Sequence, residues 1–318
     1  MNPLVITLSA QLLYYLLIAQ TGVVGAMHSD ISELYTLPLG GMAGAAASAF
    51  VNHTHLRKEL IFLFGVQGAL AFFYPDYSLV LLALMGFVIG YSVPLLLFVF
   101  GTQGKWTLAI GFALSYTIGT ALYGYPFDQR GWIAALLPLL SLGALVLSPP
   151  VSGEVLFVRK RVDWEAVGIM MLWIFADSAL FETLSRSQEM AIWDHYTLLI
   201  IAAHLSGILL ALRFPGGMRE RFGSIWVLFA LSYLLFYFRI PLWLAVVYPV
   251  AISYYNILLF RELIDLRNIQ TIALSMVGVG WIATSVANAA ALEHQFWIAS
   301  AILVAFGIVY PFRIRRKR

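Results

Sequence analysis

The feature that most restricts the fold of this chain is a succession of long apolar segments separated by short polar connections. A helix that crosses the hydrocarbon core of a bilayer needs about 20 apolar residues. Twelve such segments can be marked along the 318 residues, at 4–25, 35–52, 59–74, 78–101, 105–124, 131–149, 165–185, 196–213, 223–238, 240–261, 268–291 and 295–312.

The composition excludes a water-soluble domain. Of all residues, 61% are hydrophobic and only 11% are charged. A soluble protein of this length needs far more charge to cover its surface. The sequence therefore predicts an all-α polytopic membrane protein with twelve transmembrane helices.

Two of the divisions between segments rest on short connections. Tyr74-Pro75-Asp76-Tyr77 separates the third and fourth segments, and Phe238-Arg239-Ile240-Pro241 separates the ninth and tenth. A proline close to a charged residue is more typical of a turn than of a membrane-spanning interior. We therefore expect a turn at both places.

The basic residues test this topology independently. If both termini are cytoplasmic, sixteen of the nineteen Lys and Arg residues fall on the inner side, and only Arg130, Arg186 and Arg239 fall outside. Cytoplasmic loops carry such an excess of Lys and Arg. The prediction is a multi-pass protein of the cell inner (plasma) membrane, and the net charge of +3 does not indicate binding to nucleic acid.

Other features of the sequence exclude several kinds of chemistry. The chain has no cysteine, which excludes disulfides, thiolate metal sites and a thiol nucleophile. The apolar N-terminus lacks a basic region and a small-residue cleavage site, so we expect it to remain as the first span. We predict no cofactor and no metal, and the expected partners are membrane lipids and an unidentified small-molecule substrate.

A division into two halves is indicated by the longest inner connection. Residues 150–164 form a linker that contains Arg159-Lys160-Arg161. This linker separates an N-terminal six-helix bundle at 1–149 from a C-terminal six-helix bundle with a basic cytoplasmic tail at 165–318. The plain interpretation of the basic cluster is a topology anchor, and the alternative is binding of anionic headgroups.

The two halves have features of a repeat. Arg57 and Arg219 each follow the second helix of their half and lie 162 residues apart, and Lys105 and Arg267 precede the fifth helices with the same separation. Gly44 and Gly207 lie in corresponding stretches of small residues; the complete set is Arg57, Lys105, Gly44, Arg219, Arg267 and Gly207. Weak internal symmetry of this kind is typical of secondary transporters.

The loop after the eighth segment carries the most specific motif of the chain. Residues 212–224 read LRFPGGMRERFGS, and the Pro-Gly-Gly sequence ends a helix and permits a tight turn. The order Gly216-x-x-x-Glu220-Arg221-x-Gly223 resembles the loop motif G-x-x-x-D-R-x-G-R-R of the major facilitator superfamily (MFS). Glu220 stands in place of the Asp, and Ser224-Ile225 stands in place of the closing basic pair.

This resemblance implies a compact or divergent MFS transporter, with two six-helix pseudo-repeats, that moves a small solute by alternating access. In that family the motif lies on the cytoplasmic side after the second helix of a half. The resemblance implies a cytoplasmic gate formed by Gly216, Arg219, Glu220, Arg221 and Gly223, which would hold one half against the other and release it on switching. The alternative is that these charges only anchor the loop at the membrane surface. The fourth helix lacks the arginine that many drug antiporters of the family carry, which disfavours a standard drug–proton antiporter.

Asp177 and His204 are the candidate coupling residues within the apolar segments. Asp177 lies about nine residues, or about 13 Å, from the outer end of the seventh helix, and His204 lies at a similar depth on the eighth. An intramembrane carboxylate costs a few kcal/mol and is functional by default. A carboxylate near an imidazole can carry protons, which makes proton coupling a prediction. The alternative is a hydrogen bond across a helix interface, which we favour for His204.

Four further polar residues are candidate substrate contacts. Gln11 and Tyr15 are four residues apart on the first helix and share a face. Tyr116 lies near the middle of the fifth helix, and Asn256 lies toward the inner end of the tenth. For Gln11 and Tyr15 the alternative is helix packing with a satisfied polar tip.

Other functions remain open at this point. A ten-helix drug/metabolite carrier would require both short connections to be misassigned. A membrane enzyme or lipid-handling protein would rely on Asp194, His195, Glu293 and His294, which have no recognisable spacing, and we expect no enzyme. A metal transporter that uses Met170, Met171 and His204 is disfavoured, because methionines in an apolar helix usually serve packing.

Overall fold

The computed structural model describes residues 2–23, 35–101, 103–148, 163–214 and 216–315. Three features singled out above lie outside the described residues. These are the basic cluster Arg159-Lys160-Arg161 with most of the linker, Pro215 of the loop motif, and the last three residues of the basic tail.

The described residues form twelve long helices, joined by short turns and a single-turn helix at Ile192–His195, and contain no β-strand. The long helices are α1 Pro3–Val23, α2 Thr36–Phe50, α3 Leu56–Leu70, α4 Leu79–Phe100, α5 Lys105–Ala121, α6 Gly131–Leu147, α7 Trp164–Arg186, α8 Thr197–Arg213, α9 Phe222–Tyr237, α10 Pro241–Asp265, α11 Ile269–Leu292 and α12 Trp297–Arg315.

Every predicted segment overlaps one of these helices, and the prediction of an all-helical protein is confirmed. The turns expected at Tyr74–Tyr77 and at Phe238–Pro241 are also confirmed, because α3 and α9 end before them. Five helices, α1, α4, α7, α10 and α11, are long and apolar enough to cross a membrane by length and composition. That all twelve helices cross a membrane remains a prediction.

Two compact units can be distinguished. Unit 1 comprises Met1–Val162 and Phe260–Trp281, and unit 2 comprises Asp163–Leu259 and Ile282–Arg318. The contacts described below each lie within one unit.

In unit 1, glycines bring the backbones of α2 and α4 into direct contact. A Cβ atom built on Gly40 or Gly86 would lie 2.0 Å from a backbone oxygen of the other helix, and the same holds for Gly90. A Cβ on Gly44 would lie 2.1 Å from the carbonyl oxygen of Phe87. Small residues permit this close approach of membrane helices. Since no side chain fits between the two backbones, α2 and α4 form one tightly packed pair.

A second stabilising feature of unit 1 is the buried guanidinium of Arg130. It donates hydrogen bonds to the carbonyl oxygen of Leu17 at 2.9 Å, to Thr21 Oγ1 at 2.7 Å, and to the carbonyl oxygens of Tyr123 and Tyr125 at 2.7 and 2.9 Å. Burial lowers the pKa of Arg130 from its usual value. The charge is therefore held by neutral acceptors.

Arg130 also contacts the end of α1, which is a π-helix over Tyr15–Val23. Its guanidinium donates to the carbonyl oxygen of Leu17 within that segment. The first helix is thus fastened to the start of α6 by a side chain from outside its own sequence.

The contact between α2 and α4 gives the first prediction. Gly90→Ala should destabilise the protein by about 1–3 kcal/mol, since the methyl group would overlap the backbone of α2. Gly143→Ala in α6 is the matched control, because a Cβ there meets nothing within 4 Å. Thermal unfolding of both variants in detergent tests the contact, and equal midpoints for Gly90→Ala and Gly143→Ala would contradict it.

Candidate functional site

The site in unit 2 is built around the carboxylate of Asp177 on α7. Its Oδ1 accepts a hydrogen bond from the phenol of Tyr248 at 2.8 Å, and its Oδ2 accepts one from the phenol of Tyr255. The two tyrosines are seven residues apart, which places them on the same face of α10. Tyr248 is 0% exposed and Tyr255 is 1% exposed, so the carboxylate links two helices through buried donors.

Aromatic side chains complete the surroundings of this carboxylate. Tyr233 of α9 donates to the backbone oxygen of Ala176 at 2.7 Å. Phe229 packs against Tyr255 with ring centroids 5.5 Å apart, and Trp173 of α7 stacks on Phe229 at 5.6 Å. Three helices therefore place aromatic rings and phenol groups near Asp177, which is itself half-buried.

The chemistry of Asp177 follows from this arrangement. In the described part of the chain, the groups bonded to the carboxylate are phenols and not cations. Hydrogen bonds from neutral donors offset only part of the cost of burying a charge. The carboxylate is therefore held by neutral hydrogen-bond donors on α10.

Asp177 and His204 form hydrogen bonds with different residues of α10. The imidazole Nδ1 of His204 lies 2.6 Å from Ser253 Oγ. One turn further on, a Cβ on Gly207 would lie 2.6 Å from the carbonyl oxygen of Val250. His204 thus belongs to a close contact between α8 and α10, which agrees with the alternative of a hydrogen bond across a helix interface.

Gln11 takes part in a polar cluster between three helices of unit 1. Its Nε2 donates to Gln67 Oε1 of α3 at 3.0 Å and to Ser141 Oγ of α6 at 2.9 Å. Both amide hydrogens therefore point to neighbouring helices. This geometry favours the packing alternative for Gln11 over contact with a substrate.

The other predicted substrate contacts lie at partly exposed positions. Tyr15 lies at the start of the π-helical part of α1 and packs against the apolar core of unit 1. Tyr116 packs against Phe112 with ring centroids 5.6 Å apart, and Asn256 is half-buried and directly follows Tyr255. Their contact with a substrate stays a prediction.

The loop motif folds against the first turn of α7. Arg219 Nη2 forms an ion pair with Asp163 and lies 2.9 Å from Glu165 Oε2. Asp163 is also the N-cap of α7, because its Oδ1 accepts from the backbone N–H groups of Glu165 at 3.1 Å and Ala166 at 3.2 Å. The charged loop thus fastens α8 to the start of α7 within unit 2.

The remaining motif residues each occupy a different local environment. Gly216 has φ +135°, a conformation that favours glycine, and its added Cβ would lie 2.4 Å from Glu220 Oε2. Glu220 accepts from the backbone N–H of Gly217 at 3.3 Å, and Arg221 lies over the ring of Phe214 at 5.8 Å. Gly223 faces open space, so steric crowding does not explain a glycine there; the motif residues are Gly216, Arg219, Glu220, Arg221 and Gly223.

Four important residues were missed from the sequence. Tyr248 and Tyr255 stand seven residues apart in an apolar helix, a spacing that places both on one face. Asp163 and Glu165 stand directly before the apolar run of α7, which is a helix-start signal. The sequence pattern does not show how each helix is rotated about its axis, so it does not identify the residues that face Asp177.

The ion pair of Arg219 gives the second prediction. Asp163→Asn keeps a good N-cap but removes the charge, so a double-mutant cycle with Arg219→Gln isolates the electrostatic term. Since both side chains are about half exposed, with 44% and 48% of their surface accessible, we expect a coupling of about 0.2–1 kcal/mol that falls at high salt. Arg213→Gln at the end of α8 is the control, and a zero coupling at low salt would contradict the pairing.

Comparison with known proteins identifies the fold. No protein-family model and no curated protein sequence matches the chain. Among solved structures, the human organic anion transporter MFSD10 (TETRAN) matches with a TM-score of 0.66 and 14% identity, over 95% of this chain and 96% of that one.

The second solved structure is the MFS proton:xylose symporter XylE bound to 6-bromo-6-deoxy-D-glucose. It matches with a TM-score of 0.61 and 15% identity, over 96% of this chain and 93% of that one. Both likenesses extend over nearly the whole of each protein. The chain therefore has the fold of the major facilitator superfamily, the family that its loop at 216–223 resembles.

Proposed function

We propose that this chain is a secondary active transporter, and not an enzyme, that moves a small solute across the membrane by alternating access. The observation that carries the proposal is a likeness to two transporters over at least 95% of the chain. The sixteen inward basic residues support a multi-pass protein of the inner (plasma) membrane with both termini cytoplasmic. The moving parts are the six-helix halves at 1–149 and 165–318, joined by the linker 150–164.

Protons are the proposed coupling ion, and Asp177 is the residue that binds them. When Asp177 is ionised, each carboxylate oxygen accepts one phenol hydrogen from α10. When it takes up a proton, one oxygen becomes an O–H donor, and the phenol that it faced loses a strong acceptor. Proton uptake therefore weakens the link between α7 and α10. One of the two comparison proteins, XylE, is a proton symporter, which agrees with this proposal.

The gate of the proposed transporter is the loop at 216–223. The ion pair of Arg219 with Asp163 and Glu165 joins this loop to the helix that carries Asp177. A change in the position of α7 would therefore reach the loop through charged side chains. These ion pairs lie within the C-terminal half, so the proposal that the loop also holds the other half rests on its resemblance to the family motif.

The transport proposal is tested in proteoliposomes with a panel of sugars, organic anions and organic cations. A proton-coupled carrier should accumulate at least one of these solutes when a proton gradient is imposed, and an internal pH dye should report protons moving with that solute. Empty vesicles supply the background. Proton-independent turnover of a solute into a new compound would instead support the enzyme alternative.

The third prediction concerns Asp177. Asp177→Asn keeps the acceptor for one phenol but binds no proton, so solute exchange across the vesicle should persist while accumulation driven by the proton gradient is lost. Gradient-driven accumulation equal to that of the parent protein would remove Asp177 from the coupling step.

The fourth prediction concerns the two tyrosines. Tyr248→Phe and Tyr255→Phe keep the rings but remove one donor each from a charged acceptor, a bond worth about 1.5–3 kcal/mol. Gradient-driven transport should fall by about 10- to 100-fold if this hydrogen bond stabilises one conformation of the transport cycle. Tyr237→Phe on α9 is the control, since the phenol of Tyr237 bonds to Ser300 and not to Asp177. Equal rates in all three variants would contradict a role for the phenols.

A further inference from the structure

His53 lies in the connection between α2 and α3, on the predicted cytoplasmic side and apart from the Asp177 site. Its side chain is only 4% exposed. The imidazole Nδ1 lies 2.6 Å from Glu59 Oε2 on the first turn of α3. The Nε2 lies 2.7 Å from the carbonyl oxygen of Ser48 on the last turn of α2. The ring also packs edge-on against Tyr91 of α4, with centroids 5.9 Å apart.

Both partners of this imidazole are hydrogen-bond acceptors. A carbonyl oxygen can only accept, and a carboxylate can only accept unless it carries a proton itself. The two short contacts therefore require two hydrogens between His53 and its partners: one on Nε2 toward Ser48, and one shared between Nδ1 and Glu59. A neutral ring beside an ionised Glu59 has only one of them.

Loss of one proton from this pair must break one contact. If the remaining hydrogen stays on Nε2, the lone pair of Nδ1 faces the carboxylate of Glu59. If it moves to Nδ1, the lone pair of Nε2 faces the carbonyl of Ser48. Either arrangement sets two acceptors against each other at less than 3 Å, which is repulsive in a buried site.

We propose that His53 and Glu59 form a proton-dependent latch between the end of α2 and the start of α3. The latch is closed while the pair keeps its second proton, and it opens as the cytoplasmic pH rises. Because α2 is packed backbone to backbone on α4, release of its end affects a pair of helices and not one loop.

The other titratable groups near the latch are known from the described residues. On α3 they are Glu59 itself and the neighbouring Arg57 and Lys58, and Arg57 donates to the carbonyl of Val146 on α6. On α4 the facing group is Tyr91, and in the connecting loop it is His55, which is exposed. Among them Glu59 is the one that contacts the ring through a charged atom. Its side chain is 25% exposed, which provides the route for the proton to solvent.

A single substitution separates this latch from an ordinary buried hydrogen bond. In Glu59→Gln the amide N–H₂ can donate to the bare Nδ1 of a neutral ring, while Nε2–H still donates to Ser48. Both contacts then survive without a second proton on the pair. Glu59→Gln should therefore keep the latch closed at every pH, whereas His53→Gln should leave it open.

The test uses the absence of cysteine from the chain. A nitroxide label on Asn52→Cys, at an exposed position beside His53, reports the mobility of the connection by continuous-wave EPR in detergent micelles. Spectra are recorded at about pH 5.5 and about pH 8.5, on either side of the range in which histidine titrates. No substrate is needed, so the result is independent of the proposed transport function.

We expect the immobilised component of the spectrum to be lost between the lower and the higher pH in the otherwise unchanged protein. His55→Gln should behave in the same way, and His53→Gln should give the mobile spectrum at both values. Glu59→Gln should give the immobilised spectrum at both values. A parent spectrum that does not change with pH overturns the latch, and so does a Glu59→Gln spectrum that still changes. The Glu59→Gln arm alone decides the matter if His53→Gln fails to fold.

Discussion

A polar group inside a bilayer has to find its partner within the protein, and most of the specific features of this structure follow from that constraint. Arg130 satisfies a carbonyl of the π-helical end of α1. The side-chain amide of Gln11 donates hydrogen bonds to α3 and α6. Asp177 receives two phenols from α10. In each case one side chain fastens helices that are distant in the sequence, so the satisfaction of polar groups also determines which helices are held together.

The same constraint distinguishes structural from functional polar residues. Gln11 and Arg130 donate to neutral oxygen acceptors, and these contacts do not depend on a change of protonation. Asp177 and the pair of His53 with Glu59 differ, because their contacts depend on how many protons they hold. These two places, one inside unit 2 and one at the predicted cytoplasmic end of unit 1, are where we propose that a change of pH alters the connection between helices.

The extent of the helices could be predicted from the sequence because an apolar run of membrane-spanning length permits little else. Both short turns were predictable for a different reason, since each combines a proline with a charge. The partners of Asp177 were not, because the helical pattern shows which residues share a face but not which neighbouring helix that face meets. The contact of Arg130 with the π-helical segment of α1 was also beyond prediction, since the two are more than 100 residues apart in the sequence. A correspondence between Gly44 and Gly207 was expected; Gly44 contacts Phe87 of α4, and Gly207 contacts Val250 of α10. The repeat itself stays a prediction.

Alternating access is the central claim, and reciprocal distance changes at the two faces of the membrane test it most directly. Cysteine can be placed freely in this chain, so spin labels at Gln129 and Arg239 would report the predicted outer face and labels at Lys58 and Arg213 the inner face. Double electron–electron resonance on the parent protein and on Asp177→Asn should show opposite changes, with one pair approaching as the other separates. Distances that stay the same at both faces, or change in the same direction, would contradict the account.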